Sequence, residues 1–277
     1  MKSIKVQIKD FVPDHTFDCG QCFRWEKQED GSYIGVANSQ VARVSADGEC
    51  VTIEGITQAD YEAFWRSYLD VDRDYSAIKK AISINSTMLR SVEFGNGIRI
   101  LKQDFFEALI SFIISQRSSI PKIKNCVKKL CELYGEKITF EGNTYYSFPS
   151  PEKIASLSEA EVRALGVGYR APYILKAAQA IAKGEINGND LEKADTNAAR
   201  EALLGLYGVG DKVCDCVLLF SLGKYDLFPA DVWIKRVMAE EFESTDAKSI
   251  GESTFGNYSG FAQQYLFYWR RYNGGLR

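Results

Sequence analysis

Residues 203–237 read LLGLYGVGDKVCDCVLLFSLGKYDLFPADVWIKRV, and this stretch decides the fold. An apolar helical pattern breaks at Gly208-Val209-Gly210 and restarts as a second helix that carries Lys212 in its first turn. Two helices joined by a tight glycine turn present unpaired backbone N–H groups, which are suited to bind a phosphate. The stretch therefore predicts a structure that binds the phosphate backbone of a nucleic acid.

Two residues of this stretch could carry chemistry. Lys212 lies where the positive end of a helix dipole disfavours the charged ammonium and so favours a nucleophilic amine. Asp231 follows Pro229 at the start of the next predicted helix, where an N-cap is expected. Separately, the two residues could be a surface lysine and a cap. Together, after a glycine hairpin, they indicate a nucleophile and an anion that act at one site. Cys216 lies one helical turn after Lys212 and therefore shares its helix face.

Composition sets the class of protein. The chain has 277 residues, 45% of them hydrophobic and 26% charged, which is enough for one large or two ordinary globular domains. No segment approaches the roughly 20 apolar residues of a membrane span, and the first twelve residues lack the apolar run of a signal peptide. We therefore expect no membrane partner, and we also expect a monomer. A prokaryotic protein of this kind is expected in the cytoplasm, associated with the nucleoid. A eukaryotic one is expected in the nucleus.

The distribution of charge favours a DNA partner more than the total does. The net charge is −3, which by itself does not favour DNA. Two runs, residues 116–131 and the tail from Leu266 onward, contain basic residues and no acids, and they flank the hairpin stretch in the chain. Their basic residues are Arg117, Lys122, Lys124, Lys128 and Lys129, and Arg270, Arg271 and Arg277.

Cysteine spacing gives little support for a metal site. Cys19 and Cys22 have the spacing of half a zinc site, but the chain has no second CxxC and His15 is its only histidine. No four-cysteine set follows the hairpin stretch, which excludes a C-terminal iron–sulfur cluster. Seven cysteines in a chain without a signal peptide do not indicate a disulfide framework. We therefore predict no metal ligands among these side chains.

The N-terminal third reads as a sheet covered by helices. Short β-branched segments before residue 55 are separated by Asp30-Gly31 and Asp47-Gly48, which are hairpin signals. Apolar positions three and four apart then predict amphipathic helices over residues 58–69 and 75–83, which are expected to cover one face of the sheet. We place the end of this domain at residue 97.

Residues 98–277 are predicted to be helical. The apolar run over 105–115 indicates a buried central helix, residues 140–151 are predicted as a loop, and residues 255–272 as the last helix. The predicted fold class is α+β, with an N-terminal antiparallel sheet domain (1–97) and an all-α domain (98–277) that contains the hairpin motif.

The hairpin stretch resembles a known family. Leu206-Tyr207-Gly208-Val209-Gly210 is similar to the Leu-Pro-Gly-Val-Gly of the helix-hairpin-helix motif in the base-excision DNA glycosylase superfamily, with Tyr207 in place of the proline. Lys212 stands at the position of the nucleophile in the lysine-bearing members. Asp231 stands at the position of their essential aspartate.

Three further motifs resemble the 8-oxoguanine DNA glycosylases of that superfamily. Gly20-Gln21-Cys22-Phe23-Arg24-Trp25 is similar to the Gly-Gln-x-Phe-Arg-Trp signature of their sheet domain. Residues 165–171, LGVGYRA, resemble their Gly-Tyr-Arg turn. Gly260-Phe261-Ala262-Gln263 with Phe267 resembles their C-terminal recognition helix. The resemblance runs from about residue 15 to residue 270.

The resemblance implies a bifunctional glycosylase and AP lyase that acts on duplex DNA containing 8-oxoguanine. The damaged base leaves the stack, and Lys212 attacks C1′ of its sugar. A Schiff base forms and permits strand cleavage by β-elimination, while Asp231 stabilises positive charge at the sugar. No cofactor is required, although the hairpin carbonyls could hold a structural monovalent or divalent cation.

The resemblance also assigns the residues that hold the base and the DNA. Phe267 and Cys216 cover the two faces of the flipped purine, Gln263 reads its Watson–Crick edge, and the Gly20 carbonyl accepts the N7 hydrogen that distinguishes 8-oxoguanine from guanine. The residues assigned to DNA contact are Tyr169 as a wedge in the duplex, Arg170 on the orphaned opposite base, the hairpin residues Gly208, Val209 and Gly210 on a phosphate, and Arg117, Lys122 and Trp233.

Two positions depart from the eukaryotic pattern. Arg117-Ser118-Ser119 and Lys122 stand where those enzymes have asparagines and an arginine that read the opposite base. Because a lysine ammonium discriminates less than a bidentate guanidinium, we expect a weaker preference for cytosine opposite the lesion. Trp233 stands where a histidine is common in the family. The contact of that histidine with a phosphate is therefore not expected here.

Two alternatives stay open at this point. The chain could be a relative in the same superfamily that acts on another damaged base, although the Gly20 and Gln263–Phe267 elements argue against it. It could also be a non-catalytic helix-hairpin-helix module, in which Lys212 would only contact a phosphate.

Overall fold

The computed structural model describes residues 2–273, so Arg277 lies outside the described residues. The strands are β1 (Ser3–Gln7), β2 (Trp25–Lys27), β3 (Tyr33–Ala37), β4 (Gln40–Asp47), β5 (Cys50–Glu54), β6 (Lys137–Phe140) and β7 (Asn143–Tyr146).

The α-helices follow in chain order. They are α1 (Pro13–Phe17), α2 (Gln58–Asp60), α3 (Arg66–Tyr68), α4 (Tyr75–Ile82), α5 (Ser86–Phe94), α6 (Phe105–Ser115), α7 (Ile120–Tyr134), α8 (Pro151–Ala155), α9 (Glu159–Val162), α10 (Ala171–Ala182), α11 (Gly188–Lys193), α12 (Thr196–Leu204), α13 (Asp211–Leu222), α14 (Val232–Glu241), α15 (Ala247–Phe255) and α16 (Ser259–Asn273). A π-helical turn, Tyr61–Trp65, joins α2 and α3 into one continuous helix.

The five N-terminal strands form one antiparallel sheet in the order β1-β5-β4-β3-β2. The two predicted hairpin signals lie in its turns: Gly31 between β2 and β3 and Gly48 between β4 and β5 both have positive φ, which glycine adopts at no steric cost. The α+β class with an N-terminal antiparallel sheet is therefore confirmed.

One face of the sheet packs on α1 and on the α2–α3 helix. Trp25 stacks on Phe17 with ring centroids 4.0 Å apart, and its indole N–H donates to Tyr68 Oη at 2.8 Å. Trp65 meets the Trp25 ring edge to face at 6.2 Å. These side chains belong to one buried core, so residues 58–69 cover the sheet as predicted.

The second predicted covering helix packs elsewhere. Tyr75, Ile78 and Ile82 of α4 lie in the core of the helical part, not in the core of the sheet. The prediction that residues 75–83 cover the sheet is therefore wrong. An amphipathic pattern shows that a helix has one face to bury, but it does not show which surface receives that face.

A small β-hairpin covers the other face of the sheet. Strands β6 and β7 pair antiparallel, and Phe140 packs with Ile34, Val36 and Val41 in a third buried cluster. The prediction of a loop over residues 140–151 is wrong for this segment, and the helical part is not purely α. The hairpin was missed because β6 and β7 have only four residues each, too few for an alternating pattern to distinguish a strand from a loop.

The helical core is built around α6. The prediction of a buried helix over 105–115 is confirmed, and Asp104 caps that helix through a hydrogen bond from Glu107 N at 2.8 Å. The core also takes in Cys19 and Phe23 from the sheet side, so the two parts of the chain share buried contacts. The division at residue 97 stays a prediction.

A buried glutamine joins the two parts. The Gln21 side chain is fully buried, and its amide donates to the carbonyls of Thr16 at 2.9 Å and Arg99 at 2.7 Å. Its Oε1 accepts from Leu101 N at 2.8 Å. Because each partner is itself a buried backbone group, loss of this amide leaves several groups without a hydrogen bond.

Gln21→Ala is expected to lower the free energy of unfolding by about 3 kcal/mol, since buried groups lose their partners. Urea unfolding followed by circular dichroism measures the change. The control is Gln28→Ala, whose amide makes an exposed bond to Glu26 O and whose loss should cost under about 0.5 kcal/mol. Equal losses in the two variants would contradict the joining role of Gln21.

Candidate active site and DNA-facing surface

The hairpin between α12 and α13 has the geometry that the sequence predicts. Gly208 has φ +86, and a Cβ there would lie 2.1 Å from the Tyr173 ring. Gly210 is the residue before α13. Among residues 2–273 the backbone N–H groups of Gly208 and Gly210 have no hydrogen-bond acceptor, so both are available to a phosphate. The N–H of Val209 donates to Leu206 O at 3.1 Å and is occupied within the turn.

Lys212 stands in the first turn of α13 and is partly buried. Its Nζ lies 3.4 Å from Ser115 Oγ and 5.2 Å from the centroid of the Phe112 ring. Both contacts come from α6, the buried central helix. The amine is therefore held against an apolar wall, and no carboxylate among the described residues forms an ion pair with it.

Asp231 caps α14 and also belongs to the site. Its Oδ1 accepts hydrogen bonds from Trp233 N and Ile234 N, each at 2.9 Å. Its Oδ2 has no hydrogen-bond partner within residues 2–273. Burial raises the pKa of the Asp231 carboxyl, while the two N–H groups and the nearby Lys212 charge act in the opposite direction. Asp231 can cap the helix through Oδ1 and act on a substrate through Oδ2, so the two predicted roles are compatible.

The predicted base-reading residues meet at one small cavity. Its lining includes all six of the residues predicted to act on or bind the base, which are Lys212, Asp231, Cys216, Gly20, Gln263 and Phe267. Its volume is about 40 Å³, which is room for about one water molecule. Residues 20, 212–231 and 263–267 are far apart in sequence, and the structure brings them together.

Phe267 closes this cavity. A Cβ on Gly20, which has φ +87, would lie 2.9 Å from Phe267 Cε1. Gln263 is buried, and its Oε1 has no hydrogen-bond partner among residues 2–273. A buried acceptor without a partner is costly in a folded protein, so its presence here indicates a ligand that donates to it. Burial raises the pKa of the Cys216 thiol to about 11, which keeps it neutral and apolar.

Three residues at the site were not predicted from the sequence: Gln264, Phe112 and Phe220. Gln264 donates to Cys19 O at 2.8 Å and so holds the Gly20 loop against α16. Phe112 and Phe220 form apolar walls of the cavity. The signal for Gln264 was available, because a glutamine beside Gln263 on a largely buried helix must find a partner. The two phenylalanines carry no signal beyond their apolar character.

The Gly-Tyr-Arg turn places its two predicted residues differently. Tyr169 is exposed, as a wedge must be. The Arg170 guanidinium is buried: Nη1 donates to Val167 O at 2.9 Å, Nη2 donates to Gln116 O, and the group lies over the Tyr169 ring at 4.6 Å. Arg170 therefore does not project toward DNA in this conformation. Its contact with the orphaned base stays a prediction that requires the guanidinium to leave these carbonyls.

Gln116 connects the three DNA-facing turns. Its carbonyl receives Arg170, and its side-chain amide donates to Gly208 O at 3.0 Å. The next residue, Arg117, is exposed with φ +48, a strained value outside glycine. The turn that carries Arg117, the Gly-Tyr-Arg turn and the hairpin are thus tied to one another.

The basic runs are only partly free. Lys124 bonds to Asp18 at 3.2 Å, and Arg271 donates to Asp18 O at 3.1 Å. Lys128 lies 3.5 Å from Glu26, and Arg270 pairs with Glu240. Among residues 2–273, the basic side chains of these runs without an ion pair or hydrogen bond are Arg117, Lys122 and Lys129. The Trp233 ring is half-buried beside Arg236.

The cysteine pair is divided between two cores. Cys19 lies in the helical core and Cys22 in the sheet core, and burial raises the pKa of the Cys19 thiol to about 12. No cluster of three or more metal-ligating side chains occurs in the part of the chain that the structure describes. None of the described helices has the length and apolarity to cross a membrane.

Two family models together cover most of the chain. The model described as "8-oxoguanine DNA glycosylase, N-terminal domain" matches residues 3–109. The model described as "HhH-GPD superfamily base excision DNA repair protein" matches residues 110–253, which include the hairpin, Lys212 and Asp231.

Known proteins with similar sequence or structure agree. The 8-oxoguanine glycosylase/lyase of Clostridium acetobutylicum, in complex with double-stranded DNA containing cytosine opposite 8-oxoG, is 41% identical with a TM-score of 0.96 and covers 99% of this chain and 97% of its own. The "Probable N-glycosylase/DNA lyase" of Methanothermobacter thermautotrophicus is 32% identical over 67% of each chain. The N-glycosylase/DNA lyase of Saccharomyces cerevisiae is 36% identical, and that match spans 55% of this chain but only 44% of the yeast protein.

The family models, the relatives and the geometry of the cavity point in one direction. The chain belongs to the helix-hairpin-helix superfamily of base-excision DNA repair proteins, and within it to the 8-oxoguanine DNA glycosylase family.

Proposed function

We propose that this protein excises 8-oxoguanine from duplex DNA in base excision repair, as a bifunctional DNA glycosylase and AP lyase. The observation that carries the proposal is the convergence of Lys212 and Asp231 with Gly20, Gln263 and Phe267 on one cavity. A lysine amine near a half-buried carboxylate supports attack on a sugar. The surrounding groups support recognition of a purine.

The proposed reaction begins with the side-chain amine of Lys212. Nζ forms a bond to C1′, and the glycosidic bond breaks with its electron pair leaving on the base. The Asp231 carboxylate stabilises the positive charge that develops at the sugar. Ring opening gives a Schiff base on Lys212. Loss of a C2′ proton then expels the 3′ phosphate by β-elimination.

The base must displace Phe267 to enter. A cavity of about 40 Å³ does not hold a purine, and the Phe267 ring rests on Gly20. Once the ring turns aside, it is suited to stack on one face of the base, with the Cys216 thiol on the other. The Gly20 carbonyl would accept N7–H, and the unpartnered Oε1 of Gln263 would accept from the Watson–Crick edge.

Three finer points belong to the proposal. The hairpin carbonyls could hold a cation, although Gly208 O already accepts one hydrogen bond from Gln116. The reaction needs no cofactor, because lysine and aspartate supply the nucleophile and the countercharge. The protein would act where the chromosome lies, which is the nucleoid or the nucleus.

The two other readings explain less of the site. A non-catalytic hairpin module needs no cavity beside Lys212 and no buried acceptor on Gln263. An enzyme for another damaged base would share Lys212 and Asp231, but it would not need the close approach of the Gly20 backbone to the base.

Lys212→Gln is expected to abolish the covalent adduct that borohydride traps on duplex DNA with 8-oxoguanine, and to reduce base release about a thousandfold or more, because no nucleophile remains. Gel analysis of trapped complexes measures the first effect. The control is Lys80→Gln, an exposed lysine of α4, which should trap like the native chain. A Lys212→Gln variant that still traps, or a native chain that traps on no lesion, would defeat the proposal.

Asp231→Asn keeps the cap of α14 but removes the charge, so the single-turnover rate should fall about a hundredfold. Because the pKa of Asp231 is raised, the native rate should fall as pH drops through that raised value, at a higher pH than an ordinary aspartate would produce. The variant should lose this acidic limb. Asp195→Asn, a matched cap on α12, should change neither rate nor profile; an acidic limb that persists in Asp231→Asn would count against the role.

We also expect activity on 8-oxoguanine opposite all four bases, with a weak preference for cytosine, because Lys122 is a point charge. Lys122→Arg should raise the preference for cytosine by about tenfold through bidentate contact. Single-turnover cleavage of four duplexes measures it, and Lys129→Arg on the same helix is the control. A native preference as strong as that of the eukaryotic enzymes would refute this expectation.

A further inference from the structure

We propose that Tyr207 is a second DNA contact beside the phosphate-binding hairpin, with its ring against a deoxyribose and its hydroxyl on a phosphate of the same strand. The inference rests on the proposed function, because it assumes that the hairpin binds duplex DNA. It concerns the one position at which this hairpin departs from the Leu-Pro-Gly-Val-Gly pattern.

Tyr207 occupies an exposed position next to the hairpin N–H groups. Its residue is 62% exposed, more than the proposed wedge Tyr169 at 48%. It directly precedes Gly208, whose N–H is available, and lies three residues before Gly210. A phosphate held by these N–H groups therefore lies within a few ångströms of the Tyr207 backbone. The ring is then within reach of the adjoining sugar and phosphate.

The Tyr207 ring packs against one neighbouring tyrosine, Tyr173. Tyr173 meets Tyr207 edge to face with centroids 5.1 Å apart, and it meets Tyr169 edge to face at 6.0 Å. Tyr173 also fills the space above Gly208, where a Cβ would collide with its ring. Tyr169, Tyr173 and Tyr207 thus form a continuous aromatic row from the Gly-Tyr-Arg turn to the hairpin.

The chemistry of the row suits a sugar–phosphate backbone. A single exposed aromatic residue is ordinary, but Tyr207 is aligned with the wedge residue and adjoins two unpaired N–H groups. Its ring offers an apolar face for a deoxyribose, and its hydroxyl donates to a phosphate oxygen. A proline has no donor at this place. The substitution therefore adds a contact and removes none.

The test measures binding of lesion duplexes in a Lys212→Gln background, which prevents cleavage, by fluorescence anisotropy. Tyr207→Ala should weaken binding about tenfold, because ring and hydroxyl are both lost. Tyr207→Phe should weaken it about threefold, the value of one hydrogen bond. Tyr207→Pro should weaken it about as much as alanine does. The control is Tyr258→Ala, an exposed tyrosine whose ring pairs only with Phe261 among the described aromatic rings, and it should bind like the parent.

Two further readouts separate contact from packing. Removal of a tyrosine releases no counterion, so the slope of log K against log salt should be the same in parent and variants. Melting temperatures should also agree within about 2 °C. The proposal would be overturned if Tyr207→Ala and Tyr207→Phe both bound DNA as tightly as the parent. It would also be overturned if only Tyr207→Ala lost affinity and that variant also had a lowered melting temperature. Borohydride trapping of the native chain is run beside these assays, so failure of the proposed function is seen separately as the absence of any adduct.

Discussion

The site depends on how the loop at Cys19-Gly20 is held between the sheet and the last helix. Gln264 donates to Cys19 O at 2.8 Å across 245 residues of chain, and the Gln21 amide fixes the same loop to the backbone at Arg99 and Leu101. These bonds are buried, where a hydrogen bond that is not made costs the full desolvation of its partners. The role proposed for the Gly20 carbonyl, which is to accept a single hydrogen of a base, requires a position that is this tightly determined.

The helix that carries Lys212, the proposed nucleophile, is also held by buried contacts. Asp215, next to Cys216 on α13, is 1% exposed and pairs with Arg200 of α12 at 3.0 Å and Lys248 of α15 at 2.6 Å. Because each of its carboxylate oxygens forms an ion pair, Asp215 connects helices α12, α13 and α15. It forms no ion pair with Lys212. A buried ion pair contributes little net stability, but breaking one is costly, so such a network fixes geometry more than it adds stability. Lys212 itself rests on Phe112 and Ser115 of the central helix.

Much of this could be predicted, and the failures have physical reasons. Helix α6 was predicted to the residue because eight of its eleven residues are apolar, and a buried helix accommodates such a run best. The covering role of α4 and the loop at 140–151 were wrong, because both depend on which surface a segment finds to pack against. The burial of Arg170 could not be foreseen either: a surface arginine and one that binds buried carbonyls look alike in sequence, and only the position of Gln116 distinguishes them.

The sequence by itself determined which residues are proposed to carry the chemistry. They are a glycine hairpin, a lysine in the first turn of the next helix and an aspartate at the start of another, all within one stretch of 35 residues. It also determined which residue types were available to read a base. Only the tertiary structure decided that Gly20, Gln263 and Phe267 meet Lys212 at one cavity, that Phe267 closes it, and that Tyr207 joins a row of rings beside the hairpin. The reason is that local spacing specifies what lies on one helix or turn, whereas contacts between distant segments arise from burial of shared surfaces, which no short-range pattern encodes.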